Sequence, residues 1–295
     1  MSRIFFALPG NEKLANSLAD KCDAELGVAV IRHFPDHETF IKIDSNVKNR
    51  QAFLVCTLNN PDEKLLPLYL LSNTLKESGA SSLCLIAPYL AYMRQDKIFH
   101  SGEGLTSKYF AKLISSFADS LITIDPHLHR IHNLSEIYTI PTTILHAGEL
   151  ISTWIKENIK RPVLVGPDSE SEQWVSIVAK KIGVPYIVLQ KIRRNDKEVE
   201  VSIPHLDVYK SNTPIVVDDI ISTARTMINT VGHIITAGMQ KPVCIGVHGI
   251  FADNAYEELT LSGIKEIITC NTIDHKSNQI FIDRILADGI LQTKS

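Results

Sequence analysis

The sequence predicts an α/β protein with two domains, each built on a mostly parallel sheet flanked by helices. Three observations lead to this fold class. Short apolar runs rich in β-branched residues recur along the chain, helix-spaced apolar segments lie between them, and 295 residues suit two domains of ordinary size. Together, 44% hydrophobic and 21% charged residues are typical of a globular protein with hydrophobic cores.

Apolar runs predict the strands, and amphipathic segments predict the helices between them. The predicted strands cover residues 4–8, 52–56, 83–87, 120–124, 163–165, 186–189, 215–217, 243–247 and 266–269. The predicted helices cover residues 63–77, 106–117, 147–157, 170–182 and 226–235.

The pattern breaks near Pro141 and starts afresh at Ala147, which predicts a domain boundary. We expect an N-terminal domain over residues 1–143 and a C-terminal domain over residues 144–295, with the final helix packing back on the N-terminal domain. The halves share a plan of strand, polar loop and helix, although no strong sequence repeat relates them. Ligands of such sheets bind beyond the carboxyl ends of the strands, so the loops there are the candidate sites.

The charge balance predicts neither a nucleic-acid nor a membrane partner. There are 30 basic and 33 acidic residues, a net charge of −3. No uncharged stretch approaches the ~20 residues that span a bilayer, and the first residues hold too short an apolar run for a signal peptide. The five cysteines are widely spaced without a C-x-x-C pair, as expected of reduced thiols in the cytoplasm.

Residues 215–227 read I-V-V-D-D-I-I-S-T-A-R-T-M and carry the strongest functional signal. A buried strand is predicted to end at two carboxylates, and a hydroxyl-rich turn then opens a helix. Hydroxyls and the free N–H groups of a helix start favour a phosphate, whereas paired carboxylates suit ribose hydroxyls or a divalent cation. The alternative is a helix cap without a ligand. The residues concerned are Asp218, Asp219, Ser222, Thr223 and Thr226.

Two segments of the first half are candidates for nucleotide binding. The predicted strand 83–87 is followed by P-Y-L-A-Y-M-R-Q-D-K, whose rings can stack on a purine while Arg94 and Gln95 bond its nitrogens or a phosphate. A solvated loop with a packed tyrosine is the alternative. Residues 33–43, H-F-P-D-H-E-T-F-I-K-I, predict a hairpin with an exposed acidic turn.

Three further loops carry chemically informative side chains. Residues 123–132 contain three histidines without the spacing of a zinc motif, so a histidine beside a magnesium-bound phosphate is the favoured interpretation. Asp168 follows a predicted strand, where it can meet a ribose hydroxyl or Mg²⁺, or cap a helix. The cations Lys191, Arg193 and Arg194 can close over an anionic transition state or form a charged surface hairpin.

Taken together, F-P-D-H-E, A-P-Y-L-A-Y-M-R-Q-D-K, D-P-H, G-P-D, K-I-R-R and V-V-D-D-I-I-S-T-A-R-T-M resemble, in order and spacing, the motifs of ribose-phosphate diphosphokinases. The resemblance covers nearly the whole chain and is closest to the shorter, archaeal-type members. It implies two phosphoribosyltransferase-like domains and transfer of the β,γ-diphosphoryl group of ATP to the anomeric hydroxyl of ribose 5-phosphate. It also implies Mg²⁺ as cofactor and a homo-oligomer, at least a dimer.

The resemblance assigns roles to individual residues. ATP would be bound by Phe34, Asp36 and Glu38 of a neighbouring subunit and by Arg94, Gln95 and Asp96. Lys191 and Arg193 would be catalytic, and His127 and Asp168 would lie near the metal. Ribose 5-phosphate would be bound by Asp168, Asp218, Asp219, Ser222, Thr223, Ala224, Arg225 and Thr226.

Two residues depart from the family pattern. Arg225 stands where a glycine lets the backbone approach phosphate or take an unusual φ, and it can either add a bidentate phosphate contact or crowd the site. Glu170 stands where glycine is common, and its carboxylate would repel a diphosphate unless turned outward. Two alternatives to an active diphosphokinase follow: a non-catalytic, nucleotide-binding regulatory homologue, and a phosphoribosyltransferase that consumes the product.

Overall fold

The computed structural model describes residues 2–98, 100–167, 171–193, 199–202 and 206–292, with the backbone alone at 173, 190–193, 199–202 and 206–207. The chain forms two compact units. The first ends at Leu145 and takes in the chain again from Ile282, and the second spans His146–Phe281. The units therefore divide after Leu145, against an expected boundary after residue 143.

In its described residues, the first unit contains a parallel sheet, a hairpin and four α-helices. The sheet strands are β1 (Arg3–Ala7), β2 (Glu25–Leu26), β5 (Gln51–Val55), β6 (Ser82–Ala87), β7 (Ser120–Ile124) and β8 (Thr142–Leu145), in the order β2-β1-β5-β6-β7-β8. The antiparallel hairpin consists of β3 (Ala29–His33) and β4 (Thr39–Ile43). The helices are α1 (Glu12–Lys21), α2 (Pro61–Glu77), α3 (Thr106–Phe117) and α8 (Asp283–Gln292).

The second unit contains the same kinds of element. Its sheet strands are β9 (Pro162–Gly166), β10 (Tyr186–Val188), β13 (Thr213–Ile221), β14 (Val243–Gly249), β15 (Glu266–Cys270) and β16 (Asn278–Ile280), in the order β10-β9-β13-β14-β15-β16. The hairpin consists of β11 (Gln190–Arg193) and β12 (Val199–Ser202). The helices are α4 (Gly148–Asn158), α5 (Glu172–Ile182), α6 (Arg225–Thr236) and α7 (Ala255–Leu261). Short 3₁₀ turns occur at Leu206–Tyr209 in this unit and at Leu134–Glu136 in the first.

The two units follow one topological plan. In each, a strand and a helix lead to an edge strand, an antiparallel hairpin follows, and four more parallel strands complete the sheet. The last helix in the chain, α8, packs on α1 and β8 in the first unit, as α4 packs on α5 and β16 in the second. The predicted α/β fold class with mostly parallel sheets is confirmed, and the structure extends the likeness between the halves to the order of strands and the position of the hairpin.

Both sheets are buried because helices cover their faces. Ile215, Val216 and Val217 of β13 are fully buried, as are Ile4, Phe5 and Phe6 of β1. No helix in the described ranges combines the length and apolarity needed to cross a membrane.

Several elements differ from those predicted. β13 continues through Asp218 to Ile221 where the apolar run predicts an end at Val217, because backbone pairing with Gly246 and Gly249 of β14 extends the ladder. Ladder hydrogen bonds join main-chain groups, so polar side chains do not prevent them. The remaining elements absent from the prediction are the edge strands β2, β8 and β16 and the helices α1 and α7.

Candidate active site

The loop between β13 and α6 is positioned by the end of the sheet. Asp218 and Asp219 lie half-buried on the last residues of β13, and the Asp218 carboxylate accepts a hydrogen bond of 3.0 Å from the Asp219 N–H. The carbonyl oxygen of Ser222 accepts the N–H of Ala252 at 3.1 Å, which ties the loop to the chain following β14. Both carboxylates therefore stand beside a loop whose backbone is fixed.

The side chains of this loop point to a candidate anion site. Within the described residues, no hydrogen bond or ion pair engages the side chains of Ser222, Thr223, Arg225 or Thr226. Three of the four are exposed, and Ser222 is half-buried. The 12-residue helix α6 begins here, with its free N–H groups and the positive end of its dipole at the loop. The arrangement suits a phosphate group.

Arg225 does not occupy the conformation that the departure from glycine suggested. The left-handed residue of the loop is Ala224, with φ 56° and ψ 1°, and Arg225 is the first residue of α6. An arginine is therefore accommodated without a left-handed backbone at its own position. Its guanidinium projects from the first turn of a helix, where a phosphate is favoured.

The two cations predicted to be catalytic lie in a hairpin, and one predicted ligand lies outside the described residues. Lys191 and Arg193 belong to β11, where they pair with Val201 and Val199 of β12 in antiparallel register. Their hairpin follows β10 at the carboxyl end of the second sheet. Asp168, predicted to bind both ribose 5-phosphate and metal, and Glu170 both lie outside the described residues.

The first unit brings together two loops at the carboxyl ends of the neighbouring strands β6 and β7. Gln95 accepts a hydrogen bond of 2.8 Å from the Thr106 hydroxyl, and Arg94 is exposed. The Asp96 carboxylate accepts two hydrogen bonds of 2.9 Å from Arg130, one from the backbone N–H and one from the guanidinium. His127 is half-buried in the loop that carries Arg130.

Asp96 is held as a charged, shielded group. Its side chain is 3% exposed. Burial alone raises the pKa of a carboxyl, but the hydrogen bonds and positive charge of Arg130 outweigh that effect and lower the pKa of Asp96 below its usual value. The carboxylate predicted to contact ATP is thus already engaged within the protein.

The hairpin between β3 and β4 carries the residues predicted to cross to a neighbouring subunit. Its tip closes through hydrogen bonds between Phe34 and the backbone of Glu38 and His37, and Asp36 and Glu38 are exposed. The guanidinium of Arg32 lies 4.8 Å from the centroid of the Phe34 ring, which is 39% exposed. Among the described residues, no hydrogen bond or ion pair links Asp36 or Glu38 to Arg94.

A divalent cation fits the donors of the second unit. Asp218 and Asp219 offer carboxylate oxygens beside the phosphate loop, and Mg²⁺ is commonly bound by one or two carboxylates together with substrate phosphates. In the described part of the chain, no cluster of three or more histidine, cysteine, aspartate or glutamate side chains is arranged as a metal site.

The sequence does not predict the roles of two arginines in the first unit. Arg130 pairs with a carboxylate 34 positions away, and Arg32 lies over the rings of Phe34 and Phe40. The one available signal for Arg130 is its place in a polar loop after a strand adjacent to β6. Adjacent parallel strands bring such loops together, and the order of strands is what the sequence leaves open.

Known families match both units. The N-terminal domain of ribose phosphate pyrophosphokinase matches residues 3–117, and the phosphoribosyl transferase domain matches residues 133–283. The fold is similar to the crystal structure of phosphoribosylpyrophosphate synthetase from Mycobacterium smegmatis, with a TM-score of 0.87, 24% identity, and 99% and 98% of the two chains covered. Fold and site thus define a two-domain protein of the phosphoribosyltransferase class.

Curated relatives narrow this class to one family. A ribose-phosphate pyrophosphokinase of Sulfurisphaera tokodaii is 33% identical over 255 residues, 84% of this chain and 86% of the relative. Another from Methanothermobacter thermautotrophicus is 30% identical over 279 residues, with 94% and 96% covered. The chain belongs to the ribose-phosphate pyrophosphokinase family, also called the ribose-phosphate diphosphokinases, as its motifs predict.

Proposed function

We propose a division of labour in which the second unit holds ribose 5-phosphate and the first holds ATP. As a member of its family, the chain is an enzyme that forms 5-phosphoribosyl 1-diphosphate and AMP from these two substrates. The observation that carries the assignment is the open loop between β13 and α6. There, Ser222, Thr223, Arg225 and Thr226 have no engaged side chain within the described residues, and two carboxylates stand beside them.

The chemistry follows from this arrangement. The 5-phosphate binds at the start of α6, and Asp218 and Asp219 face the ribose hydroxyls or the cation. The anomeric oxygen attacks the β-phosphorus of ATP, the bond from that phosphorus to the α-phosphate oxygen breaks, and AMP leaves. A divalent cation, which we propose is Mg²⁺, neutralises charge on the phosphoryl oxygens. Lys191 and Arg193 complete the neutralisation during transfer.

We expect few side chains to coordinate the metal directly. We propose that Asp168 and the second unit's paired carboxylates contact the cation, and that His127 reaches the metal-bound phosphates, directly or through a water. Imidazole is a poorer partner for Mg²⁺ than a carboxylate, which favours the indirect role for His127.

The ATP site is proposed to be shared between two subunits. Phe34, Asp36 and Glu38 project from an exposed hairpin, and Val28 and Val30 towards its other end are 56% and 37% exposed. Covering these apolar side chains with a second copy would bury them and bring the hairpin tip to the partner's Arg94 and Gln95. A homo-oligomer, at least a dimer, is therefore part of the proposal. We also place the enzyme in the cytoplasm, because all five cysteines are free, buried thiols.

Two measurements test the proposal. The purified protein is incubated with ATP, Mg²⁺ and ribose 5-phosphate, and AMP and the sugar diphosphate are followed by ³¹P NMR. Both products should appear only when both substrates are present, and AMP without a sugar diphosphate would contradict the reaction.

A complementation experiment tests the shared site. Phe34→Ala and Arg94→Ala proteins are assayed separately, then mixed under conditions that exchange subunits. If each site takes one residue from each subunit, mixing should restore about a quarter of the wild-type activity, because half of the dimers are mixed and each has one intact site. No recovery despite proven subunit exchange would contradict sharing.

A further inference from the structure

The loops that follow β6 and β7 are joined by one carboxylate and one arginine, here called the Asp96–Arg130 clamp. One oxygen of Asp96 accepts the backbone N–H of Arg130 and the other accepts the guanidinium, both at 2.9 Å. The clamp therefore fixes the path of one loop and the side chain of the other at once. It lies at the edge of the sheet where the ATP-binding and metal-proximal residues are proposed.

The surroundings of Asp96 are unlike those expected of a carboxylate that binds a ligand. Its side chain is 3% exposed, whereas the Arg130 side chain is 41% exposed. A carboxylate that is shielded and doubly hydrogen-bonded has little surface left for a nucleotide. Its charge is nevertheless maintained, because the hydrogen bonds and charge of Arg130 more than compensate for burial.

The loop held by the clamp is also anchored at its start and at its far end. At its start, the N–H of Ile124 donates to the Pro88 carbonyl at 3.3 Å, and the N–H of Asp125 donates to the Leu145 carbonyl at 3.0 Å. At its far end, Glu136 accepts the N–H groups of His132 and Asn133 at 2.9 Å. Arg130 supplies the intermediate anchor.

His127 lies between the first anchor and the clamp. Arg94 and Gln95 directly precede Asp96, so the clamp links these residues to His127 through a short covalent path on each side. Loss of the clamp would remove an anchor from the middle of the His127 loop. The distance between the nucleotide-binding turn and the histidine would then vary.

We propose that Asp96 and Arg130 are positioning residues, which set the spacing between Arg94, Gln95 and His127 for the metal–nucleotide complex. This inference rests on the proposed function of that site and reassigns Asp96, which the resemblance places in direct contact with ATP. A small displacement of the groups that hold the metal–nucleotide complex should lower turnover more than it weakens the binding of ribose 5-phosphate, which is held by other residues.

The first unit offers a matched control for the experiment. At the amino ends of the same two strands, Asp119 accepts the N–H of Leu83 with one oxygen and a hydrogen bond from the Lys76 ammonium with the other, both at 2.7 Å. This pair has the same chemistry as the clamp, and it joins the beginnings of β6 and β7 rather than their ends. Lys76→Ala therefore removes a comparable ion pair far along the strands from the proposed site.

The test compares Arg130→Ala, Arg130→Lys and Lys76→Ala with the wild type. Arg130→Ala should lower kcat about tenfold and raise the Mg²⁺ concentration needed for half-maximal activity, while the KM for ribose 5-phosphate changes less than about twofold. Arg130→Lys should recover part of the loss, because a lysine ammonium can still donate to Asp96, whereas the bond from the backbone N–H is the same in both variants. Lys76→Ala should resemble the wild type.

A binding measurement separates failure of this inference from failure of the proposed function. The affinity of Mn²⁺ in the presence of ATP is measured by electron paramagnetic resonance for all four proteins. A weaker affinity in Arg130→Ala alone supports the clamp even if the wild type forms no sugar diphosphate, an outcome that would refute the reaction. Equal affinity and kinetics in Arg130→Ala and Lys76→Ala, with both folded, would overturn the clamp.

Discussion

The loops after β5 and β13 occupy the same place in the topology of the two units, but their side chains differ in whether the protein itself engages them. Each leads from the third strand of the plan into a helix through a left-handed residue, Asn60 with φ 51° before α2 and Ala224 with φ 56° before α6. The second-unit loop presents open hydroxyls and paired carboxylates. The first-unit loop is filled by the protein's own groups.

Side chains of the first unit occupy the space around its loop. Asn11, 3% exposed, accepts the Thr57 N–H at 2.8 Å, and the Lys64 ammonium donates to the Thr57 carbonyl at 2.9 Å and to Asn59 at 2.5 Å. An internal cation thus satisfies the loop's polar groups.

The ends of the strands that lead into the two loops also differ, since one carries acidic side chains and the other apolar ones. Counting back from the left-handed residue, Asp218 and Asp219 correspond to Leu54 and Val55, which are fully buried. A common topology therefore brings a loop to the same edge, but the side chains decide whether it binds a ligand or completes a core. This comparison predicts that activity depends on the second loop and stability on the first.

The largest effect is expected from the acidic pair. Asp219→Asn keeps the shape of the side chain and removes its charge, so turnover should fall about 100-fold if that charge meets the ribose or the cation. Asp253→Asn removes an exposed charge after β14 and is the control. Steady-state kinetics with ribose 5-phosphate measures both. If Asp219→Asn is as active as its control, the assignment of the Asp219 carboxylate to the substrate site is wrong.

A smaller effect is expected from Arg225. If its guanidinium binds the 5-phosphate, Arg225→Ala should raise the KM for ribose 5-phosphate about tenfold with little change in kcat. Arg225→Lys should be intermediate, because a lysine keeps the charge but not the bidentate geometry. Arg284→Ala, exposed in the first turn of α8, is the control. An unchanged or lower KM in Arg225→Ala would mean that the arginine crowds the site.

Sequence reasoning predicts the buried parts of the fold better than its edges. The strands of both sheets that lie between two neighbours are continuous apolar runs, because both of their faces are covered. The edge strands β2, β8 and β16 have few apolar residues, and pairing alone defines them. β13 passes its predicted end for a similar reason, since β14 continues to pair with it beyond Val217.

For the site, the sequence identifies the loops but not their internal contacts. The residues of 215–227 predict a phosphate loop from chemistry that is contiguous in the chain. The burial of Asp96 depends on Arg130, which reaches it only because β6 and β7 are neighbours. The filling of the first loop by Asn11 and Lys64 likewise joins separate segments, so it emerges only from the fold.

The smallest effect on activity is expected from the filled loop. Lys64→Met keeps the apolar stem and removes the donor to the buried Thr57 carbonyl, so the free energy of unfolding should fall by about 1–2 kcal/mol. Turnover should stay within about twofold of the wild type, because the loop binds no substrate. Urea denaturation and steady-state kinetics measure the two effects, and Lys112→Met, exposed on α3, is the control.

The pH dependence of Lys64 sharpens this comparison. Burial lowers the pKa of Lys64 from 10.5, so between its folded-state pKa and 10.5 the unfolded chain binds the proton more tightly. The resulting destabilisation of the wild type is relieved as the pH rises through that window, and Lys64→Met lacks this titration. The stability difference between wild type and Lys64→Met should therefore widen as the pH approaches 10.5. If instead Lys64→Met loses as much turnover as Asp219→Asn, the first loop takes part in catalysis and the contrast between the two units fails.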